Sequence, residues 1–154
     1  MVVDPNILPD ASLRAVESLV EAFESRSIRY ALIGGLAVAL RGRLRFTQDV
    51  DFLLEVPQIV LPGLLDELVE RGFELDTATV IKEFVSEHMY ALSFVGVQID
   101  WLKPVLPFYF RALADATPVE WTEGHTVRVA TAEGLILTKL VAFRPQDQVD
   151  IGPS

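Results

Sequence analysis

Residues 32–54, LIGGLAVALRGRLRFTQDVDFLL, constrain the fold more than any other part of the chain. This stretch begins in an apolar run, breaks at Gly34-Gly35, continues as a short helix-like segment, and reaches Asp49 and Asp51 at the head of a second apolar run. Short apolar runs bounded by glycine are typical of strands covered on both faces of a sheet. The stretch therefore predicts a strand, a tight turn, a short helix and a second strand.

The two carboxylates of this stretch have a spacing that suits a divalent cation. Side chains two residues apart on a strand point to the same face, so Asp49 and Asp51 are expected to lie together, with Cα atoms about 6.6 Å apart. Glycine lets the backbone of residues 34 and 35 come close to a ligand, and the helix that follows would direct free N–H groups at an anion. The combination indicates metal-assisted nucleotide chemistry, although a glycine pair alone would indicate only a tight turn.

The composition favours one globular domain over residues 1–154. The chain has 154 residues, of which 51% are hydrophobic, and no apolar run reaches the roughly 18 residues that a membrane helix needs. Residues 1–9 are expected to be an irregular arm, and residues 117–154 a C-terminal strand–helix portion. The N-terminus lacks the basic and apolar regions of a secretory signal. Because there is no cysteine, disulfides and thiolate metal sites are excluded, and a cytoplasmic location is predicted.

The charge of the chain limits its partners. With 13 basic and 22 acidic residues, the net charge is −9. General binding to nucleic acid is therefore disfavoured, because the phosphate backbone would be repelled. Any anionic ligand must be held locally by arginine, lysine, backbone N–H groups or a metal ion.

The remaining pattern predicts an α/β (α+β) fold in which a mixed β-sheet is flanked by helices. Apolar spacing indicates helices over 11–26, 62–71, 104–116 and 132–143, the last capped by Thr131. Strands are predicted over 28–33, 49–56 and 126–130, and residues 80–94 and 97–103 are expected to form a hairpin that turns near Val95-Gly96. Residues 117–124 are interpreted as a loop or a short extended piece.

Three further polar positions each allow two interpretations. Asp100 alternates with Ile99 and Trp101, so it is either an ordinary edge or surface residue or a third carboxylate for the Asp49–Asp51 pair. The arginines at positions 41, 43 and 45 are either solvated loop charges, or at least Arg45 faces phosphate or the carboxylates. Lys139, in an apolar helix, either extends to solvent or contacts phosphate. His88, expected in mid-strand, and His125 lack the partner spacing of a zinc site, and no serine lies in a nucleophile motif.

The motif Gly34-Gly35, then Arg45-x-Thr47-x-Asp49-Val50-Asp51, followed by Asp100 on a later strand, resembles the nucleotidyltransferase superfamily with the DNA polymerase β-like fold. Over residues 28–151 it is most similar to the AbiEii-type branch, which is linked to toxin–antitoxin systems. That branch shares the GG-x-A element, the R-x-T-x-D-x-D run, and a late helix with a lysine, here Lys139. The combination is fairly specific, whereas each part alone is not.

The resemblance implies transfer of a nucleoside monophosphate from a nucleoside triphosphate to an acceptor hydroxyl, with Mg²⁺ or Mn²⁺. By that resemblance, Asp49 and Asp51 would hold metal, and Asp100 would complete the site and help to deprotonate the acceptor. The backbone of Gly34-Gly35 would cradle the triphosphate, with Arg45 and Lys139 as further phosphate contacts. The acceptor could be RNA, a protein or a small molecule, and a cognate toxin or antitoxin partner is implied.

Two departures from the superfamily pattern leave an alternative function open. Many members have Gly-Ser where this chain has Gly34-Gly35, and members usually continue into further helices beyond the position of Asp150. We therefore expect a minimal or truncated member. The alternative is a non-catalytic module that binds nucleotide or a partner protein, in an antitoxin-like regulatory role.

Overall fold

A computed structural model describes residues 10–41 and 50–136. The helices are α1 (Asp10–Ser25), α2 (Gly34–Leu40), α3 (Leu61–Glu70), α4 (Thr77–Glu87) and α5 (Pro107–Asp115). The strands are β1 (Arg29–Ile33), β2 (Val50–Glu55), β3 (Met89–Phe94), β4 (Val97–Leu102), β5 (Thr117–Thr122) and β6 (His125–Val129). Residues 132–136 are again helical. No helix in these two ranges is both long enough and apolar enough to cross a membrane.

The strands form one mixed sheet in the order β3-β4-β2-β1-β6-β5. Strand β2 pairs antiparallel with β1 and parallel with β4, while β1 pairs parallel with β6 on its other side. The outer pairs β3–β4 and β5–β6 are antiparallel hairpins. The predicted fold class, a mixed sheet flanked by helices, is confirmed.

An aromatic cluster fastens α1 to the sheet. The ring of Phe23 on α1 lies 5.4 Å from Phe52, 5.4 Å from Tyr30 and 5.9 Å from Trp101, measured between centroids. Phe23, Phe52 and Trp101 are fully buried. Such ring pairs each add about 1 kcal/mol beyond the burial of apolar area. Helix α1 therefore packs on this face of the sheet, and the alternate residues of β2 and β4 point to the opposite face.

The predicted strand over 80–94 is wrong in its first half. Residues Thr77–Glu87 form α4, and only Met89–Phe94 form a strand, although the hairpin with β4 and its turn are confirmed. Val80 and Phe84 are both buried, at the i, i+4 spacing of a helix face. His88 ends α4 in the left-handed region with φ of 65°, so it does not lie in mid-strand.

Two smaller predictions concern the region after β4. The helix predicted over 104–116 is shorter in the structure, Pro107–Asp115. Residues 117–124, predicted as a loop or a short extended piece, contain the strand β5. The predicted cap at Thr131 is confirmed, because its hydroxyl oxygen accepts a hydrogen bond from the Gly134 N–H at 3.1 Å. This bond satisfies one of the free N–H groups at the start of the helix.

Replacing the cap residue should weaken this helix start. For Thr131→Ala we expect the free energy of unfolding to fall by about 1 kcal/mol, because the Gly134 N–H loses its acceptor. Denaturant unfolding of the two proteins would measure the difference. Thr131→Ser keeps the hydroxyl and should stay close to wild type. Equal stability of all three proteins would contradict the role of the cap.

An ion-pair network ties α1 to α3 and makes stability depend on pH. Glu67 accepts hydrogen bonds from Arg26 and, at 2.7 Å, from the Arg71 Nε. The hydrogen bond from Arg26, joined by that from Arg71, holds the pKa of the Glu67 carboxyl below its usual value, although partial burial opposes the shift. Because the pKa is lower in the folded state, the stabilisation is present above the usual glutamate pKa of about 4.3 and is lost as pH falls through the folded value.

We expect Glu67→Gln to lower the free energy of unfolding near pH 7 by up to about 1 kcal/mol, the range of a partly exposed pair. The difference from wild type should shrink as the pH is lowered below about 4. Denaturant unfolding from pH 7 down to pH 3 would measure it. Glu70→Gln, at an exposed position of the same helix, is the matched control. A difference that does not change with pH would show that the charge of Glu67 is not responsible.

Candidate active site

Asp51 and Asp100 are neighbours on one face of the sheet. They are register partners in the parallel pair β2–β4, directly beside the pair Phe52–Trp101 on the buried face. Paired residues on adjacent strands point to the same face, and their Cα atoms are separated by about 4.8 Å. Both aspartates are partly exposed. Two carboxylates that are distant in sequence are thus brought side by side where solvent can reach them.

The glycine turn lies directly against one of these carboxylates. Ile33 at the end of β1 pairs with Asp51, so Gly34 follows at the level of the aspartate. A Cβ atom at Gly34 would lie 2.2 Å from Oδ2 of Asp51, which is closer than any side chain tolerates. Gly34 also has φ of +76°, in the left-handed region that favours glycine. Both the backbone angle and the close approach require glycine at this position.

Asp100 has a second polar neighbour that sequence reasoning missed. The side-chain amide of Gln98 donates to both carboxylate oxygens of Asp100, at 3.1 Å and 3.4 Å. The sequence signal is the spacing, because residues two apart on a strand share a face. On the β3 side, the register partner of Asp100 is Ala91, which is exposed and has a small side chain. Asp100 is not on an edge strand, since β4 lies between β3 and β2.

Three of the predicted site residues, Asp49, Arg45 and Lys139, lie outside the described residues. Within residues 10–41 and 50–136, no group of three or more histidine, cysteine or acidic side chains could hold a metal ion. The described part of the site therefore consists of Asp51 and Asp100 beside Gly34 and Gly35. The roles of all seven predicted residues remain predictions.

Arg41, the one arginine of the run that lies within the described residues, is exposed and also binds protein acceptors. Its guanidinium donates to the carbonyl oxygens of Val129 and Ala130 and to the hydroxyl of Thr117. These acceptors lie at the end of β6 and the start of β5. Arg41 thus connects the end of α2 to the opposite half of the sheet, a long-range contact for which the local sequence has no signal.

A cavity of about 320 Å³ lies at the other end of β1, away from the aspartates. Glu24, Arg29, Tyr30 and Arg128 are among its lining residues. Burial raises the pKa of the Tyr30 phenol, and the hydrogen bond that its hydroxyl donates to Glu24 adds to this effect. Tyr30 also accepts a hydrogen bond from the backbone N–H of Arg128. These contacts make the phenol a structural link between β1 and β6.

Solved structures with the same arrangement of strands and helices are nucleotidyltransferases. A presumed nucleotidyltransferase of Thermotoga maritima superposes with a TM-score of 0.62 at 12% identity, over 94% of this chain and 92% of that one. The lincosamide antibiotic adenylyltransferase LnuA, with lincomycin bound, gives 0.55 at 14% identity, over 84% and 85%. The enzyme ANT(2")-Ia, in complex with adenylyl-2"-tobramycin, gives 0.54 at 20% identity, over 88% and 78%.

At these identities the likeness concerns the fold, and the fold is that of the nucleotidyltransferases. No protein-family model matches the chain, and no curated protein matches it in sequence. The predicted superfamily therefore agrees with the structure at the level of the fold. The finer resemblance to the AbiEii-type branch rests on the sequence motif.

Gly34→Ala should disturb both the turn and the carboxylate beside it. The left-handed backbone costs alanine about 1–2 kcal/mol, and the new methyl group would displace the Asp51 side chain. We expect a loss of that order in the free energy of unfolding, measured with denaturant. Gly63→Ala is the matched control, because nothing lies within 4 Å of its added Cβ and the position is helical. Equal effects of the two substitutions would contradict a special requirement for glycine at position 34.

Proposed function

We propose that this chain transfers a nucleoside monophosphate from a nucleoside triphosphate to an acceptor hydroxyl, with Mg²⁺ as the metal ion. The observation that carries the proposal is the register of β2 and β4, which places Asp51 beside Asp100 on a partly exposed face. The contact of Gly34 with Asp51 adds the second element, a backbone that comes close to the carboxylates. The fold shared with adenylyltransferases supports the same chemistry.

The residues at the site fit a magnesium ion. Mg²⁺ prefers carboxylate, phosphate and water oxygens, and Asp51 and Asp100 present two carboxylates to one space. By the motif, Asp49 would be the third member of this set. When bound, Mg²⁺ supplies charge stabilisation to the phosphoryl oxygens of the transition state. Mn²⁺, which favours the same ligands, would fit the same set.

Each site residue has a proposed role in holding the triphosphate or the acceptor. Gly34 and Gly35 place their backbone against the triphosphate, where a side chain would block access. Arg45 and Lys139 contact phosphate oxygens with donors that carry positive charge. Asp100, whose register partner on β3 is the small Ala91, faces the acceptor.

The proposed reaction breaks the bond between the α-phosphorus and its bridging oxygen to the β-phosphate. The acceptor oxygen forms the new bond to the α-phosphorus, and pyrophosphate leaves. The proton of the acceptor hydroxyl passes to the carboxylate of Asp100, which acts as the general base. The amide of Gln98 keeps that carboxylate oriented, since it donates to both oxygens.

The acceptor and the biological setting are the finer parts of the proposal. LnuA and ANT(2")-Ia are described with an antibiotic or an adenylylated antibiotic, so small hydroxylated molecules are one acceptor class to examine. RNA and protein hydroxyls are the others. The resemblance of the motif to the AbiEii-type branch supports a role as a toxin–antitoxin component with a cognate partner.

The decisive experiment is calorimetric titration of the four ribonucleoside triphosphates, with and without Mg²⁺. Wild type should bind at least one of them in a Mg²⁺-dependent way. Asp51→Asn and Asp49→Asn should weaken this binding at least about tenfold, because a carboxylate ligand is lost while the shape of the side chain is kept. Asp66→Asn, at an exposed position on α3, is the matched control and should bind like wild type.

A second measurement separates catalysis from binding alone. Pyrophosphate release should be detected when the correct acceptor is supplied from sets of RNA, protein and small hydroxylated molecules, and Asp100→Asn should abolish it. Unchanged nucleotide affinity in the Asp49 and Asp51 variants would refute the proposed site. Tight binding without product for every acceptor would instead favour the non-catalytic binding module.

A further inference from the structure

Arg41 makes an unusual set of contacts for an arginine beside a nucleotide site. Its Nε donates to the carbonyl oxygen of Ala130 at 3.1 Å, and its Nη2 donates to the carbonyl oxygen of Val129 at 2.7 Å. The same Nη2 lies 2.9 Å from the Thr117 hydroxyl. Hydrogen bonds from a charged donor are about twice as strong as neutral ones. The guanidinium therefore donates hydrogen bonds to two successive backbone carbonyl oxygens, and its Nη2 donates to two protein acceptors.

The segment whose carbonyl oxygens accept hydrogen bonds from Arg41, residues 129–130, also pairs with β1. The N–H of Ala130 donates to the carbonyl oxygen of Leu32 at 3.1 Å, and Leu32 pairs with Val129 in the parallel ladder. Ala130 is thus bound to β1 through its N–H and to Arg41 through its carbonyl. One residue later, Thr131 caps the helix that begins at residue 132.

Helix α2 is held by the buried side chains of Leu36, Ala37 and Leu40 and by contacts at both of its ends. It has seven residues, so it spans about 10 Å and is far too short to be stable by itself. At its first residue, Gly34 lies against the Asp51 carboxylate. Immediately after its last residue, Arg41 is fastened to the end of β6. The two ends of this short helix are thus fixed to different parts of the sheet, Gly34 beside Asp51 and Arg41 at the end of β6.

We propose that Arg41 is a positioning residue of the nucleotide site, which keeps the glycine turn against Asp51 by fixing the far end of α2 to Val129 and Ala130. This inference rests on the proposed function. Arg41 acts through the backbone of α2 and does not itself contact phosphate. Without Arg41, the C-terminal end of α2 loses its hydrogen bonds to Val129 and Ala130, and the geometry of the triphosphate site is less tightly fixed.

The test compares wild type with Arg41→Ala, Arg41→Gln and Arg41→Lys by calorimetric titration of the ribonucleoside triphosphate that wild type binds, with Mg²⁺. We expect about a 5- to 20-fold loss of affinity for Arg41→Ala and Arg41→Gln. Arg41→Lys should recover only part of it, because an ammonium group cannot reproduce the planar fork that reaches two carbonyls. Arg29→Ala, at the opposite end of β1 in an exposed ion pair with Glu55, is the matched control and should bind like wild type.

Two readouts distinguish positioning from other roles. A direct phosphate contact would make the loss of affinity shrink as salt is raised, whereas positioning predicts a similar loss at low and high ionic strength. Amide hydrogen exchange without nucleotide should quicken at residues 34–40 in Arg41→Ala but not in Arg29→Ala. Titrations are made at a temperature where denaturant curves show each variant to be folded, so that a purely global loss of stability leaves the affinity unchanged.

The outcomes separate this inference from the function on which it rests. If wild type binds a triphosphate and Arg41→Ala binds it equally well, the positioning role is refuted and the proposed function stands. A loss that disappears at high salt would also refute it, in favour of a direct contact. If wild type binds none of the four triphosphates, the proposed function fails, and the positioning role fails with it.

Discussion

The packing of Phe52 and Trp101 around Phe23 determines where the carboxylates lie. These two fully buried side chains are register partners on β2 and β4, and both belong to the aromatic cluster around Phe23. Because side chains alternate along a strand, fixing this pair on the core face fixes Asp51 and Asp100 on the other. A slip of one residue would place aspartate in the core. The hydrophobic face thus sets the register, and the register assembles the candidate site.

The local parts of this arrangement could be predicted from sequence, because each has a short-range signal. The apolar run, the Gly34-Gly35 pair and the apolar run after Asp51 predict β1, a short helix and β2. The predicted bounds of β1 and the predicted end of β2 agree with the structure to within one residue, whereas Asp49 lies outside the described residues. The alternation of Ile99, Asp100 and Trp101 predicted that the aspartate and the tryptophan lie on opposite faces. The cap at Thr131 followed from the residue type and its position.

What could not be predicted depends on contacts between distant segments. The parallel pairing of β2 with β4 depends on packing across the sheet. The sequence therefore indicates both aspartates as candidates but does not show that they are register partners. The contacts of Arg41 with Val129 and Ala130 span 88 and 89 residues. Helix α4 lies partly where a strand is predicted, since residues 80–94 are expected to be extended. The i, i+4 pair Val80 and Phe84 was the stronger signal, since burial on one helix face outweighs intrinsic propensity.

The opposition of two carboxylates has an energetic consequence for the proposed function. Like charges directly opposite each other on neighbouring strands destabilise a sheet, and here the chain already carries a net charge of −9. The aromatic core holds Asp51 and Asp100 in this register, and the side-chain amide of Gln98 donates hydrogen bonds to the carboxylate of Asp100. A divalent cation held by these aspartates would offset their negative charge, and this attraction would favour its binding. The same negative charge disfavours approach of an anionic triphosphate without a cation, which is the physical reason to expect that nucleotide and metal bind together.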